Sequence, residues 1–159
     1  MCALYRPGHF EGVLAVINQF LQKFKPKHIF FGEKDYQQLY LIKKFLKKNF
    51  KINVFSCSTV RDKNNVALSS RNVLLNTNDI NKSSIIASSM LKFKNKIKKN
   101  VSYTKNLNNI SNKINSLKNI KIEYLEIRNK YNLSKNYSKK NFKIFLAYYN
   151  KKIRLIDNY

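Results

Sequence analysis

The chain has 159 residues, 43% of them hydrophobic and 13% aromatic. This is enough to fill the core of one ordinary domain or of two small ones, and it excludes a chain that stays unfolded. The formal charge of +24 at pH 7 comes from 27 Lys and 5 Arg against 8 acidic residues. The two cysteines, Cys2 and Cys57, have no partner at CxxC spacing, so the sequence predicts neither a disulfide framework nor a protein-held metal, and it favours a reduced cytoplasmic compartment.

The first sixty residues alternate between helical and strand patterns. From Glu11 to Phe24 the apolar residues recur every three or four positions, which predicts a one-sided helix that ends before Pro26. "KHIFF" predicts a short buried strand, Tyr36 to Asn49 a second helix, and "INVFSCS" another strand. The order of helix, strand, helix and strand predicts a parallel sheet with crossover helices, in which ligands bind at the carboxyl ends of the strands.

The sequence changes in character after residue 60. A polar loop, "RDKNNVALSSRN", leads into a helix that Thr77 or Asn78 is expected to cap, and a further helix is expected within residues 101–118. Three alternating runs then predict an antiparallel sheet packed on those helices: "IKIEYLEIRN", "FKIFLAYYN" and "KIRLIDN". We therefore expect an α/β protein, with a partial Rossmann-like parallel sheet in residues 1–60 and a small α+β domain with a three-stranded antiparallel sheet in residues 61–159.

The positive charge has two interpretations. A basic nucleic-acid-binding module would use such charge to neutralise phosphates. The excess of Lys over Arg, together with abundant Asn and Ile, instead indicates A/T-rich codons and charge spread over solvated faces. We favour the second interpretation and expect no nucleic-acid partner, because the aromatic residues mostly fall at core spacing rather than on stacking platforms. No stretch approaches the roughly 18 uninterrupted apolar residues of a membrane span, so no membrane is expected either.

The segment "FGEKDYQQ" carries residues suited to a nucleotide. Lys34 can hold a phosphate, Asp35 can accept hydrogen bonds from ribose hydroxyls, and Gly32 can let a base approach the backbone closely. Gln38, one turn into the next helix, points back over the same end and can bind a hydroxyl or a carboxylate. An ordinary strand-to-helix turn, with Glu33 and Asp35 favouring the helix N-terminus, explains the same spacing.

Two other segments have similar alternatives. In "VALSSRN" two adjacent hydroxyls and an Arg suit a phosphate clamp, or form an ordinary serine-rich loop. Ahead of it, Asn64 and Asn65 tolerate a left-handed backbone better than any residue except Gly. In "YRPGHF", Arg6 and His9 can bind a carboxylate, or His9 has a structural role.

Six segments occur in order and at suitable spacing: "RPGHFEGV", "FGEKDYQQL", "STVRD", "ALSSRN", "KIEYLEIR" and "RLIDN". Together they resemble the pantothenate synthetase (pantoate-beta-alanine ligase) family of HUP-type nucleotidyl transferases over essentially the whole chain. Another adenylyl transferase of that superfamily is a weaker alternative. The resemblance implies ATP-dependent condensation of pantoate with beta-alanine through a pantoyl adenylate, with ATP as co-substrate and Mg²⁺ bound through ATP.

The resemblance also implies roles for individual residues. Two groups of residues match the family's ATP site. The first group is Gly32, Glu33, Lys34, Asp35 and Val60. The second group is Leu68, Ser69, Ser70 and Arg71. Within them Lys34 matches a position near phosphate, Asp35 one near ribose and Val60 one at the adenine end. The second group resembles the KMSKS loop that closes on the phosphates in related enzymes.

The position of Gln38 contacts pantoate in the family, and Arg6 and His9 match positions near the pantoate pocket. In family members a His-x-Gly-His-type motif, with a catalytic His, lies ahead of the segment matching "RPGHF". The present sequence begins after that motif, so no catalytic residue is assigned in it.

We expect the chain by itself to be inactive, and its first 60 residues to be poorly soluble or partly molten because an apolar edge and faces would be uncovered. Family members form homodimers, largely through the part of the protein that lies ahead of the segment matching "RPGHF". The resemblance therefore gives no support for a dimer of this chain.

Overall fold

The computed structural model describes residues 1–99 and 103–159. The chain divides into two compact units, Met1–Thr59 and Val60–Tyr159. The first contains a two-stranded parallel sheet and the second a separate three-stranded antiparallel sheet. The fold class predicted from the sequence is confirmed.

The helices and strands of the first unit follow the predicted order, preceded by one short helix that the sequence did not predict. They are α1 (Cys2–Tyr5), α2 (His9–Phe24), β1 (His28–Gly32), α3 (Tyr36–Asn49) and β2 (Asn53–Cys57), with a 3₁₀ turn at Glu33–Asp35 between β1 and α3. Strand β1 pairs in parallel with β2, from His28 opposite Asn53 to Gly32 opposite Cys57. Helix α2 ends before Pro26, which disfavours the right-handed helical conformation at the residue before it; that residue, Lys25, is left-handed with φ 44°.

Only one face of the parallel sheet is covered by the helices. Its core consists of Ile17 and Leu21 from α2 with Ile42 and Leu46 from α3, against which strand residues such as Ile29, Phe31 and Val54 pack. On the opposite face the rings of Phe30 and Phe55 stack at 5.1 Å between centroids. These two side chains remain 65% and 46% exposed, so the uncovered apolar face expected from the sequence is present.

The second unit contains two helices and three strands among its described residues. They are α4 (Thr77–Lys98), α5 (Tyr103–Asn115), β3 (Ile120–Asn129), β4 (Phe142–Asn150) and β5 (Ile153–Asn158), with a 3₁₀ turn at Ser70–Leu74. The N-terminal limit expected for the second of these helices, at residues 101–102, lies outside the described residues.

The cap of α4 predicted at Thr77 or Asn78 was wrong. Asn76 caps the helix, because its side-chain oxygen accepts a hydrogen bond of 2.9 Å from the backbone N–H of Asp79. The run Asn76, Thr77 and Asn78 offers three side chains of the capping type, and Asn76 is the one with an extended backbone.

The antiparallel sheet has the order β3-β4-β5, and its core is larger than that of the first unit. Ile86, Met90, Phe93 and Ile97 of α4 pack with strand residues that include Ile144. The central strand β4 is buried along nearly its whole length rather than at every second residue. Side chains on both faces of β4 are therefore shielded from solvent. The alternating pattern in its sequence does not correspond to one buried and one exposed face.

Candidate active site

The turn at the carboxyl end of β1 carries four of the predicted site residues. Strand β1 ends at Gly32, Glu33 to Asp35 form the 3₁₀ turn, and α3 begins at Tyr36. Gly32 has φ −70° and ψ 137°, which any residue can adopt, and a Cβ built there would meet nothing within 4 Å. Glycine is therefore not required by the fold at this position, and it leaves open space beside the strand end. Asp35 is exposed, while Glu33 and Lys34 are half-buried.

A cavity of about 680 Å³ lies beside this turn within the first unit. Its lining includes Phe31 and Gln38, the residues on either side of the turn, and His9 at the start of α2. The rest of the wall is apolar or glycine: Gly8, Gly12, Val13, Val16, Ile17, Phe20 and Ile29. The cavity thus offers a hydrocarbon surface with two polar side chains, an arrangement typical of small-molecule sites.

Sequence reasoning missed the wall that α2 contributes to this cavity. The apolar pattern of α2 predicted a helix face packed in a core, but Val16 and Phe20 are 51% and 57% exposed, and the buried residues of this helix are Ile17 and Leu21. The available signal was the width of the apolar stripe, which exceeds what contact with one neighbouring helix and a short sheet can bury.

The "YRPGHF" segment brings its two polar residues together. The guanidinium Nη1 of Arg6 lies 3.1 Å from Nε2 of His9. His9 lines the cavity, whereas Arg6 is exposed and is not among the lining residues. Between them Gly8 adopts φ 74°, a conformation that favours glycine and allows the chain to turn directly into α2.

The remaining predicted residues share one loop of the second unit. The backbone N–H of Leu68 donates to the carbonyl of Val60 at 3.0 Å, so two apolar side chains that are 52% and 66% exposed lie on neighbouring backbone segments. The Ser69 hydroxyl accepts the N–H of Arg71 at 3.2 Å and caps the 3₁₀ turn. Ser70 and Arg71 are exposed, and Nη1 of Arg71 donates to the Arg154 carbonyl at 2.9 Å.

The tight turn before this loop has the left-handed residue that the sequence predicted. Asn65 has φ 66°, and the Asp62 carboxylate accepts the backbone N–H groups of Asn64 and Val66 at 2.8 and 2.9 Å. The turn is therefore fixed by its own side-chain hydrogen bonds.

One ion pair beside the loop was not predicted. The two terminal nitrogens of Arg61 each donate to one oxygen of Asp157 at 2.8 Å. The guanidinium also lies 4.7 Å from the centre of the Tyr159 ring. Burial, followed by the neighbouring Asp157 carboxylate, raises the pKa of Tyr159 well above its ordinary value of 10.0, so the ring is neutral at physiological pH. Sequence reasoning noted both Arg61 and the "RLIDN" segment, but a separation of 96 positions along the chain concealed that Arg61 and Asp157 pair.

No group of three or more His, Cys, Asp and Glu side chains suited to hold a metal occurs in residues 1–99 and 103–159. Within the same residues, none of the helices combines the length and apolar character needed to cross a membrane.

Comparison with known proteins gives a consistent result. A family model described as pantoate-beta-alanine ligase matches residues 1–159. Among curated relatives, the pantothenate synthetase of Flavobacterium psychrophilum is 34% identical over 160 residues, which cover 97% of this chain and 56% of that protein. That of Clostridium botulinum is 33% identical and covers 100% of this chain and 58% of its own length. The chain thus spans somewhat more than half the length of these relatives.

Solved structures agree with the sequence matches. The pantothenate synthetase of Thermus thermophilus superposes with a TM-score of 0.89 at 27% identity, covering 100% of this chain and 58% of that one. The pantoate-beta-alanine ligase of Francisella tularensis, complexed with beta-gamma ATP and beta-alanine, gives 0.77 at 35% identity, covering 100% and 53%.

Proposed function

Because this chain belongs to the pantoate-beta-alanine ligase family, we propose that it takes part in the ATP-dependent condensation of pantoate with beta-alanine. The observation that carries the proposal is the apolar cavity lined by His9 and Gln38 directly beside the Gly32–Asp35 turn. A small acid in the cavity and a nucleotide at the turn would be neighbours, as an adenylation reaction requires.

The cavity suits pantoate in chemistry as well as in position. Pantoate is a branched aliphatic acid with hydroxyl groups, so its methyl groups match the wall formed by Val16 and Phe20. Gln38 has a carbonyl and an amide for a hydroxyl or the carboxylate, and His9 supplies a second polar contact. Arg6 acts on the acid through His9 rather than from the lining itself.

The nucleotide is proposed to bind at the turn and at the loop of the second unit. Lys34 offsets phosphate charge and Asp35 accepts ribose hydroxyls, with Glu33 and Gly32 completing the turn. Val60 and Leu68 present adjacent apolar surface for the adenine, and Ser69, Ser70 and Arg71 bind the phosphates. In this proposal residues 1–60 belong to the nucleotide-binding domain and residues 61–159 form the small domain whose loop binds the phosphates.

The proposed reaction has two steps and needs no covalent enzyme intermediate. The pantoate carboxylate attacks the α-phosphorus of ATP and displaces pyrophosphate, which gives pantoyl adenylate. The beta-alanine amine then attacks the acyl carbon, the bond to AMP breaks, and the amine loses a proton as the amide forms. The chain contributes positioning and cationic charge. Mg²⁺ would arrive bound to the ATP phosphates.

The 159-residue chain is expected to need further protein for this activity, since it spans 56% to 58% of its curated relatives. The test therefore co-expresses it with the part of the Flavobacterium psychrophilum synthetase that it does not cover, and measures AMP release from ATP, pantoate and beta-alanine. We expect activity only when both parts are present.

The matched variants are Lys34→Ala at the turn and Lys44→Ala on the exposed surface of α3. Lys34→Ala is expected to lower kcat by about 10² to 10³, because a cation offsetting the charge of the transferred group is lost. Lys44→Ala should leave kcat unchanged. Equal rates for the two variants, or no AMP release from a folded pair of parts, would overturn the proposal.

A further inference from the structure

The loop of residues 60–71, named here the serine loop, is closed by its own backbone. Arg61 and Ala67 form an antiparallel bridge, and the N–H groups of Asp62 and Leu68 donate to the carbonyls of Val66 and Val60 at 2.9 and 3.0 Å. Together with the hydrogen bonds of the Asp62 carboxylate, these contacts make residues 60–68 of the serine loop a small closed hairpin.

Arg61 joins this hairpin to the end of β5. Besides its two bonds to Asp157, its Nη1 donates to the carbonyl of Asn65 at 2.9 Å and its Nη2 to the carbonyl of Asn158 at 3.1 Å. One guanidinium thus contacts the turn of the hairpin, the β5 carboxylate and the β5 backbone. The side chains of Arg61 and Asp157 are only 19% and 8% exposed, so water competes weakly for these bonds.

A second contact fixes the other end of the serine loop to the same strand. Arg71 donates to the carbonyl of Arg154, near the start of β5. Strand β5 therefore holds the loop at both ends, with Asp157 at one and the Arg154 backbone at the other. A third contact, from the Ser84 hydroxyl of α4 to the carbonyl of Asn64 at 3.1 Å, steadies the turn.

From this arrangement we infer that Arg61 and Asp157 are positioning residues for ATP, acting through the serine loop and not by touching the substrate. The inference rests on the proposed function, because it assumes that Ser69, Ser70 and Arg71 bind the phosphates. The bidentate geometry matters: a planar guanidinium fixes both distance and orientation, whereas an ammonium at the same place is a point charge that cannot make all four bonds.

The test compares Arg61→Lys and Asp157→Asn with a control of similar burial. The control is Asp79→Asn, since the Asp79 side chain is 3% exposed and pairs in the same unit with Lys151 at 2.6 Å and with Lys82 at 3.2 Å, two residues that lie outside the serine loop. All variants are assayed with the complementing part described above, after thermal melting has shown which temperature leaves each one folded.

Arg61→Lys and Asp157→Asn are each expected to lower kcat/KM for ATP by about 10- to 100-fold. A displacement of about 1 Å in a group that positions the substrate can lower the reaction rate by up to about 100-fold. KM for beta-alanine should stay within about two-fold. The double variant should be no worse than the more impaired single one, since both remove the same interaction. Folded variants with lower melting temperature but an unchanged kcat/KM for ATP would show a structural role only and would overturn the inference.

Hydrogen exchange separates this inference from the proposed function. The amides of Asp62, Val66 and Leu68 should exchange about 10-fold faster in Arg61→Lys than in the wild type, and Asp79→Asn should leave them unchanged. Absence of faster exchange overturns the positioning role whatever the enzyme does. If exchange is faster in Arg61→Lys but the wild-type complex releases no AMP, the proposed function is overturned, and with it the assignment of ATP to the serine loop.

Discussion

The two units are expected to unfold separately, and one pair of substitutions tests this. Ile42 in the first unit and Ile144 in the second are both fully buried, so replacing either by Ala removes the same side-chain volume from a packed core. Such a change costs about 2 to 5 kcal/mol. The consequence should differ between the units because their cores differ in size.

The first unit has only 59 residues, and its core cluster contains four buried side chains among those that the structure describes; a core of that size supplies no more than about 3 to 5 kcal/mol. Ile42→Ala should therefore unfold the first unit at room temperature and leave the second folded. Ile144→Ala should lower the melting temperature of the second unit, whose core includes fourteen buried residues among those that the structure describes, and should leave the first transition in place.

Differential scanning calorimetry of the 159-residue chain measures both transitions, and hydrogen exchange assigns them to residues. The wild type should show a weak first transition from residues 1–59 and a larger one from residues 60–159. A single cooperative transition that both substitutions shift equally, with a compact hydrodynamic radius, would refute the argument and the expectation that the first sixty residues are partly molten.

Two further predictions concern the second unit. Hydrogen bonding from Arg154 holds the pKa of Glu123 below its ordinary value of 4.5. Stability from this pair is therefore full above that value and is lost as pH falls through the folded-state pKa. Since both side chains are largely buried, Glu123→Gln should destabilise by about 3 kcal/mol at pH 7, and the difference in urea midpoint should shrink on acidification; a difference constant down to pH 2 would contradict this. At Asn65, with φ 66°, Asn65→Val should destabilise by about 1 to 2 kcal/mol and Asn65→Gly by less than about 0.5, and equal urea midpoints for the two would contradict the strain argument.

Much of the fold was predictable because local patterns determine it. The first and last residues of α3 are the ones predicted from the sequence. A polar turn precedes the apolar stripe of this helix, and the apolar pattern stops where the helix stops. The left-handed Asn65 was predictable because few residues tolerate that conformation. In α4 the cap at Asn76, in place of the predicted Thr77 or Asn78, was not predictable, because all three side chains can cap and the backbone decides.

The candidate site was predictable only where local sequence determines it. The turn at Lys34 and the loop at Ser69 follow from short segments, but the cavity wall and the Arg61–Asp157 pair depend on tertiary packing. Apolar residues in α2 have the same periodicity whether they line a cavity or a core. The partner of Arg61 depends on which strand end meets the loop, and no local spacing contains that information.

The central proposal is that residues of this chain position pantoate and ATP for adenylation. Isotope exchange tests it most directly: labelled pyrophosphate is incubated with ATP and the complemented chain, with and without pantoate, in the absence of beta-alanine. We predict that label enters ATP only when pantoate is present, and that Lys34→Ala abolishes the exchange while Lys44→Ala does not. AMP release that requires beta-alanine, with no pantoate-dependent exchange, would contradict the proposed adenylate and the roles assigned to the turn and the cavity.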